Sequence, residues 1–114
     1  MSSQKDVLTS NCGGDLSVLP DQKVLTESII LFKGLADLTR LKILCFLQEG
    51  EVCVHDLVEA MNISQSGVSH QLRILRDARL VVSRKQGRHV YYQLADEHIE
   101  QLLTNTLLHG SEKH

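Results

Sequence analysis

Apolar residues recur with helical spacing through the middle of the chain. Val68, Leu72 and Leu75 stand at i, i+4 and i+7, which predicts a helix with one buried face. Ser64 precedes this helix and can cap its first turn. A shorter helix about three residues upstream is predicted by Val54, Leu57, Val58 and Met61. Two helices joined by so tight a turn predict a helix-turn-helix.

The second of these helices is polar on its other face, near its N-terminus. Each side chain there can reach a base edge or a phosphate: Gln65, Ser66, Ser69, His70 and Arg73. His70 has no metal-ligating neighbour in this stretch, so we interpret it as a DNA contact. A polar face can also be simply a solvated face, and the helix alone does not decide between the two interpretations.

A predicted β-hairpin follows and favours DNA binding. The β-branched and aromatic runs 80–82 and 90–92 flank a basic segment, in which Gly87 can adopt the positive φ of a hairpin turn. A basic hairpin directly after a recognition helix is typical of a wing that lies along the DNA backbone. We expect Arg84, Lys85 and Arg88 to face DNA, with Arg88 able to enter the minor groove.

The N-terminal part divides into an arm and two helices. Residues 1–20 are polar and irregular and are interpreted as a flexible arm, and residues 21–114 as a single domain. The predicted helix from Asp21 to about Ala36 has more apolar surface than one core-facing stripe needs, which favours packing against a second subunit. A second helix is predicted over 41–48. The expected fold is mainly α with a small β-hairpin, a homodimeric winged helix-turn-helix.

Composition limits the class of protein. The chain has 114 residues and 42% hydrophobic content, enough for one modest core. We find no apolar run of about 18 residues and no signal-peptide pattern, so a membrane span is not expected. Three cysteines, an odd number, favour a reducing cytoplasm over a disulfide framework.

Charge is segregated along the chain, although the net charge is only −2. Residues 69–89 hold six of the 12 basic residues and one of the 14 acidic residues, so the remainder holds six basic and 13 acidic residues. The positive charge therefore coincides with the candidate reading surface, as attraction to phosphate requires.

Four motifs together resemble the ArsR–SmtB family of winged-helix, metal-responsive repressors over about residues 21–112. They are LADLTRLKIL (35–44), EVCVHDL (51–57), SQSGVSHQLRILRDARLV (64–81) and RKQGRHVYYQL (84–94). Two residues depart from the family pattern: Leu38 stands where proline is common, and His55 stands where many members carry a second cysteine.

Candidate metal ligands lie at both ends of the predicted last helix. Asp96 and His98 are at its start, and His109 and Glu112 are i, i+3 neighbours at its end. About 20 Å of helix separates the two pairs, whereas zinc–ligand distances are about 2 Å. The pairs therefore cannot meet within one chain, but they can meet if two such helices pack antiparallel across a two-fold axis. The resemblance implies the same C-terminal helix site, with all four ligand positions matching.

The donor set favours Zn(II), with Co(II), Cd(II) or another divalent ion left open. Two imidazoles and two carboxylates suit tetrahedral coordination, and four protein ligands leave no open position for a reacting water. This is the pattern of a sensing site. We find no nucleophile–base pair either, so an enzyme is not expected.

A second candidate site involves Cys12, Cys53, His55 and Asp56. In relatives this region binds thiophilic ions, and thiolates favour soft metals. The alternative function is therefore a winged-helix repressor that senses redox state, or a thiophilic metal, through Cys12, Cys53 and His55.

The expected mechanism is negative allostery. A metal-free dimer binds a palindromic operator in double-stranded DNA with two recognition helices about 34 Å apart. Zinc that bridges the C-terminal helices is expected to favour a dimer geometry that no longer fits the operator. For this to release DNA, the metal must bind the DNA-free dimer better than the DNA-bound dimer.

Overall fold

The computed structural model describes Gly14 and residues 16–112. Within that part of the chain the helices and strands follow in this order: α1 (Gln22–Leu35), α2 (Leu38–Phe46), β1 (Val52–Cys53), α3 (Val54–Met61), α4 (Gln65–Asp77), β2 (Val81–Gln86), β3 (His89–Leu94) and α5 (Glu97–Ser111). The strands form an antiparallel sheet in the order β1-β3-β2. The mainly helical fold with a small hairpin is confirmed.

The core lies between the middle helices, the sheet and the start of α5. The three residues predicted to form the buried face of α4 are all buried. They pack with residues of α2, α3, α5 and the sheet, namely Ile43, Leu44, Leu47, Leu57, Leu80, Val81, Tyr92, Ile99 and Leu103. One continuous core therefore holds both the recognition helix and the C-terminal helix.

The structure differs from the predicted elements in one helix boundary and one additional strand. Helix α2 begins at Leu38 instead of Leu41, because the Asp37 carboxylate accepts a hydrogen bond from the Arg40 backbone N–H at 3.0 Å and caps the helix. The two-residue strand β1 was not predicted. It is too short to show an alternating pattern, and it exists because Val52 pairs with Tyr92 and Cys53 pairs with Tyr91.

Helix α1 leaves most of its apolar side chains exposed in the single chain. Leu31 and Leu35 pack against the core, and Gly34 is the buried residue of this helix. The exposed members are Val24, Leu25, Ile29, Ile30 and Phe32. So long an apolar stripe is typical of a surface that another protein covers. No helix among the described residues is both long and apolar enough to cross a membrane.

Gly34 marks the closest approach of α1 to the core. A Cβ built at this position would lie 2.8 Å from Leu80 Cδ1 and 2.9 Å from Ala78 Cβ. Alanine is favoured over glycine in a helix by roughly 0.5–1 kcal/mol, but overpacking a core typically costs about 1–3 kcal/mol. The steric cost exceeds the helix-propensity gain.

We therefore expect Gly34→Ala to lower the free energy of unfolding by about 1–2 kcal/mol, measured by urea denaturation at fixed protein concentration. Gly110→Ala is the matched control, since a Cβ there would meet nothing within 4 Å. That control is expected to be neutral or slightly stabilising. Equal effects of the two substitutions would show that α1 does not approach the core so closely.

Candidate DNA interface and metal-ligand pairs

A three-residue turn sets the position of the candidate recognition helix. Helix α3 ends at Asn62, whose φ of 58° is left-handed. Ser64 then caps α4, because its hydroxyl oxygen accepts a hydrogen bond from the Gly67 backbone N–H at 3.0 Å. The helix-turn-helix predicted from sequence is confirmed, including its capping residue.

The predicted DNA-contacting side chains of α4 lie on its outer face. Gln65, Ser66, His70 and Arg73 are exposed, and Ser69 is half-buried. Since Val68 and Leu72 are buried between them, the polar residues occupy the side of the helix that turns away from the core. This face can hydrogen-bond to base edges and phosphates.

Arg40 joins three helices behind that face, a role that sequence reasoning missed. Its guanidinium donates hydrogen bonds to the Gly34 carbonyl at 2.8 Å and the Lys33 carbonyl at 3.1 Å, at the end of α1. A third hydrogen bond, of 3.1 Å, reaches the Gln71 side-chain oxygen on α4. Arg40 and Gln71 are 31 residues apart, so no local pattern could have indicated the contact.

The hairpin forms a wing beside α4. Gly87 has the predicted left-handed conformation, with φ of 62°. The strands are longer than the apolar runs indicated, because β2 and β3 pair from Val81↔Leu94 to Gln86↔His89. Lys85 and Arg88 are exposed on this hairpin.

Arg84 differs from the other wing cations because its side chain is hydrogen-bonded to other residues of the same chain. Its Nε and Nη2 atoms donate to the two carboxylate oxygens of Glu51, each at 2.7 Å. Its Nη1 atom donates to Gln86 Oε1 at 2.7 Å, and its guanidinium carbon lies 4.6 Å from the centroid of the Tyr91 ring. The hydrogen bonds from Arg84 hold the pKa of the Glu51 carboxyl below its ordinary value.

An open groove of about 460 Å³ lies between the helix-turn-helix and the wing. Its walls include Cys53, Gln65, Ser69, Arg88 and His89. The Cys53 thiol lies 3.7 Å from His89 Nδ1. A Cys–His contact therefore sits next to the candidate reading surface.

The structure also locates the described members of the second candidate metal site. The sequence places Cys53, His55 and Asp56 together on the first helix of the helix-turn-helix, but in the structure Cys53 ends β1 and directly precedes α3. His55 and Asp56 are exposed in the first turn of α3, and the His55 imidazole lies 4.0 Å from Glu59 instead. Cys12 lies outside the described residues. The close contact of Cys53 is with His89, a residue that the sequence did not indicate.

The ligand pairs of α5 lie at opposite ends of a 15-residue helix. Asp96 caps the helix, since its Oδ1 atom accepts a hydrogen bond from the Ile99 backbone N–H at 3.0 Å. His98 Nδ1 lies 3.8 Å from Asp96 Oδ1, and His109 Nδ1 lies 3.4 Å from Glu112 Oε1. The predicted pairs are adjacent in space, although Glu112 is the C-cap and has left the helical conformation.

These distances suit a shared ion. Two ligands bound to tetrahedral zinc at 2.0–2.1 Å lie roughly 3.4 Å apart. The His109–Glu112 pair has this separation, and the His98–Asp96 pair is slightly wider at 3.8 Å. Among residues 16–112 and Gly14, no three His, Cys, Asp or Glu side chains are grouped closely enough to hold a metal ion. The exposure of these residues leaves room for ligands from elsewhere.

Comparison with known proteins gives one family. The model of the bacterial regulatory protein arsR family matches residues 37–83, from the α2 cap into the wing. A transcriptional repressor SmtB homolog from Synechocystis is 51% identical over 81 residues, covering 71% of this chain and 61% of that protein. A cadmium resistance transcriptional regulatory protein CadC homolog from Staphylococcus aureus is 43% identical over 83 residues, covering 72% of this chain and 69% of that protein.

A solved structure agrees in architecture. The homodimeric winged helix-turn-helix DNA-binding domain of a Mycobacterium bovis protein matches with a TM-score of 0.77 and 28% identity, covering 87% of this chain and 96% of that domain. The wing and the recognition helix of this chain therefore have counterparts in a known DNA-binding domain.

Proposed function

The chain belongs to the ArsR family of bacterial regulatory proteins, and on that premise we propose that it is a metal-responsive repressor that releases operator DNA on binding Zn(II). The observation that carries this proposal is the pair of half-sites on α5. Each half-site has an imidazole and a carboxylate 3.4–3.8 Å apart. The SmtB and CadC homologs are named as a repressor and a cadmium resistance regulator, which agrees with a metal-responsive role.

The DNA-binding surface is proposed to combine α4 with the wing. Gln65, Ser66, Ser69, His70 and Arg73 would face the major groove, because they share the exposed side of a helix whose other side is buried. Lys85 and Arg88 would meet the backbone from the wing. We propose that the protein acts in the cytoplasm, where it would meet operator DNA.

Dimerisation is supported by the exposed apolar stripe of α1. Leu108, near the end of α5, is also largely exposed and extends the apolar surface available to a partner. A two-fold dimer buries the same patch on both chains and presents two recognition helices. Such a dimer would read a palindromic operator with half-sites about 34 Å apart.

The same two-fold axis would complete the metal sites. An antiparallel α5 pair would bring Asp96 and His98 of one protomer to His109 and Glu112 of its partner, giving two equivalent sites. When bound, the ion supplies a crosslink between the two helices. Operator release then requires that the crosslinked dimer bind DNA less well, and linkage makes DNA weaken zinc binding by the same factor.

The Cys53–His89 contact favours a second candidate function. A thiol 3.7 Å from an imidazole, beside Gln65 and Ser69, can bind a thiophilic ion or respond to oxidants next to the reading surface. Repression would then respond through Cys53, with Cys12, His55 or Asp56 as further ligands.

A first prediction concerns DNA reading. Arg73→Ala is expected to weaken operator binding by roughly 1–3 kcal/mol while changing binding to unrelated DNA little, because base-edge contacts carry specificity. Fluorescence anisotropy with operator and scrambled duplexes measures the difference. Lys42→Ala, a substitution of an exposed cation on α2, is the charge-matched control. If Arg73→Ala and Lys42→Ala behaved alike, Arg73 would not belong to the reading surface.

A second prediction separates the two candidate sensors. His109→Ala is expected to bind operator normally but not release it with zinc, because one ligand of each site is gone. Cys12→Ser with Cys53→Ser is expected to keep the zinc response, since the α5 ligands contain no sulfur. Operator release titrated with zinc, under reducing conditions, measures both. The reverse pattern would move the sensor to the Cys53 region.

A third prediction tests whether each metal site is shared between subunits. His98→Ala and His109→Ala homodimers each lack a ligand at both sites, so neither is expected to bind zinc tightly. In a heterodimer of the two, one site combines both damaged ends. The other combines the intact Asp96–His98 end of one chain with the intact His109–Glu112 end of the other.

One tight zinc per heterodimer is therefore expected to reappear, with affinity close to that of the unmodified protein. Differently tagged chains allow the heterodimer to be purified, and zinc competition against a chelating dye measures the affinity. A site contained within one chain cannot be rescued by subunit exchange. Absence of tight zinc in verified heterodimers would refute the antiparallel arrangement.

A further inference from the structure

Three side chains form a layer across the wing sheet. Arg84 of β2 pairs in register with Tyr91 of β3, and Tyr91 pairs in register with Cys53 of β1. Residues in register share a face of the sheet, which is why the Arg84 guanidinium can lie over the Tyr91 ring. Glu51 lies two residues before Cys53, and the Arg84–Glu51 ion pair therefore crosses β3 from one edge of the sheet to the other.

Each of the three guanidinium nitrogens of Arg84 donates a hydrogen bond within the chain. Two of its nitrogens donate to Glu51, the third donates to Gln86, and the guanidinium stacks on Tyr91. A planar, bidentate contact of this kind restricts orientation as well as distance. Lys85 and Arg88 are exposed, and neither forms an ion pair with another described residue. The three wing cations are therefore not equivalent.

The Arg84–Glu51 ion pair connects the wing to the body of the domain. Glu51 lies between α2 and β1, in a segment that leads directly into the helix-turn-helix. Arg84 lies in the middle of β2, on the strand of the hairpin that β1 does not contact. Their ion pair is thus a direct side-chain connection between the body of the domain and the far strand of the wing.

We propose that Glu51 fixes the orientation of the wing by holding Arg84, so that Arg84 is a positioning residue and Lys85 and Arg88 make the wing's phosphate contacts. This inference rests on the proposed DNA binding. It changes the expectation from sequence, in which Arg84 and Lys85 both faced DNA. A side-chain cation that contacts a DNA phosphate releases a counterion from the DNA. A cation that remains paired with a carboxylate of its own chain does not.

The test is operator affinity measured against salt concentration for five variants. Lys85→Ala is expected to reduce the slope of log affinity against log salt by about 0.9, the value for one phosphate contact. Arg84→Ala is expected to leave the slope unchanged and to weaken binding by up to about fivefold at every salt concentration, the scale of an exposed ion pair. Glu51→Gln is expected to weaken binding similarly, and Glu51→Gln with Arg84→Ala no further, because both remove the same contact.

Arg84→Lys is the charge-matched control. Lysine keeps the positive charge but cannot form the bidentate contact, so the variant is expected to bind operator as weakly as Arg84→Ala. Two results would overturn the proposal: a slope that falls by about 0.9 in Arg84→Ala and is restored in Arg84→Lys, or tighter operator binding by Glu51→Gln. Either would make Arg84 a phosphate contact for which Glu51 competes.

A measurement without DNA keeps this proposal distinct from the proposed function. Carboxyl NMR titration is expected to give Glu51 a pKa below its ordinary value in the unmodified protein, and a higher pKa in Arg84→Ala. Amide exchange in β2 is expected to quicken in Glu51→Gln. Failure of the unmodified protein to bind any duplex, with both NMR results as expected, would reject the DNA-binding function alone. A Glu51 pKa unchanged by Arg84→Ala would reject the contact itself.

Discussion

The guanidinium of Arg40 connects the recognition helix to two neighbouring helices, in addition to the turn and the core that hold it. The Arg40 backbone N–H donates to the Asp37 carboxylate, which caps α2. The Arg40 guanidinium donates to the last carbonyls of α1 and to the Gln71 side chain of α4. Hydrogen bonds from a charged donor contribute more than neutral ones, and an unpaired donor in this partly buried place would cost free energy. These hydrogen bonds hold α1 and the recognition helix α4 in one relative position. If two chains dimerise through α1, that position would set the distance between their two recognition helices.

The other end of the recognition helix lies beside a proposed half-site. Asp77, Ala78 and Arg79, where α4 ends, line a cavity of about 450 Å³ together with Asp96 and His98. Arg79 has a left-handed φ of 63°, and its guanidinium lies 3.7 Å from Glu27 of α1. Asp96 and His98 of the proposed half-site therefore lie beside the segment in which α4 ends.

Short-range sequence patterns predicted much of this fold. The contacts that they did not predict join residues that lie far apart in sequence. Three predicted features depend only on residues close together in sequence, and all three are confirmed. They are the buried apolar face of α4, the Ser64 cap and the Gly87 turn. The contacts that escaped prediction join residues 31 to 36 positions apart: Arg40 with Gln71, Arg84 with Glu51, and Cys53 with His89. Such pairs have no periodic signature, because only the packed fold brings them together. For the same reason charge alone could not distinguish Arg84 from Lys85.

The division of ligands along α5 has a consequence for sensing. A site complete within one chain would bind metal without requiring any particular arrangement of two protomers. Half-sites at opposite ends of a 15-residue helix bind tightly only where two such helices meet in one relative position. On the proposed arrangement, part of the binding free energy therefore depends on the angle and spacing of the two protomers. In the proposed dimer, that angle and spacing would also determine whether two α4 helices fit successive major grooves, so metal binding and operator binding would depend on the same geometry.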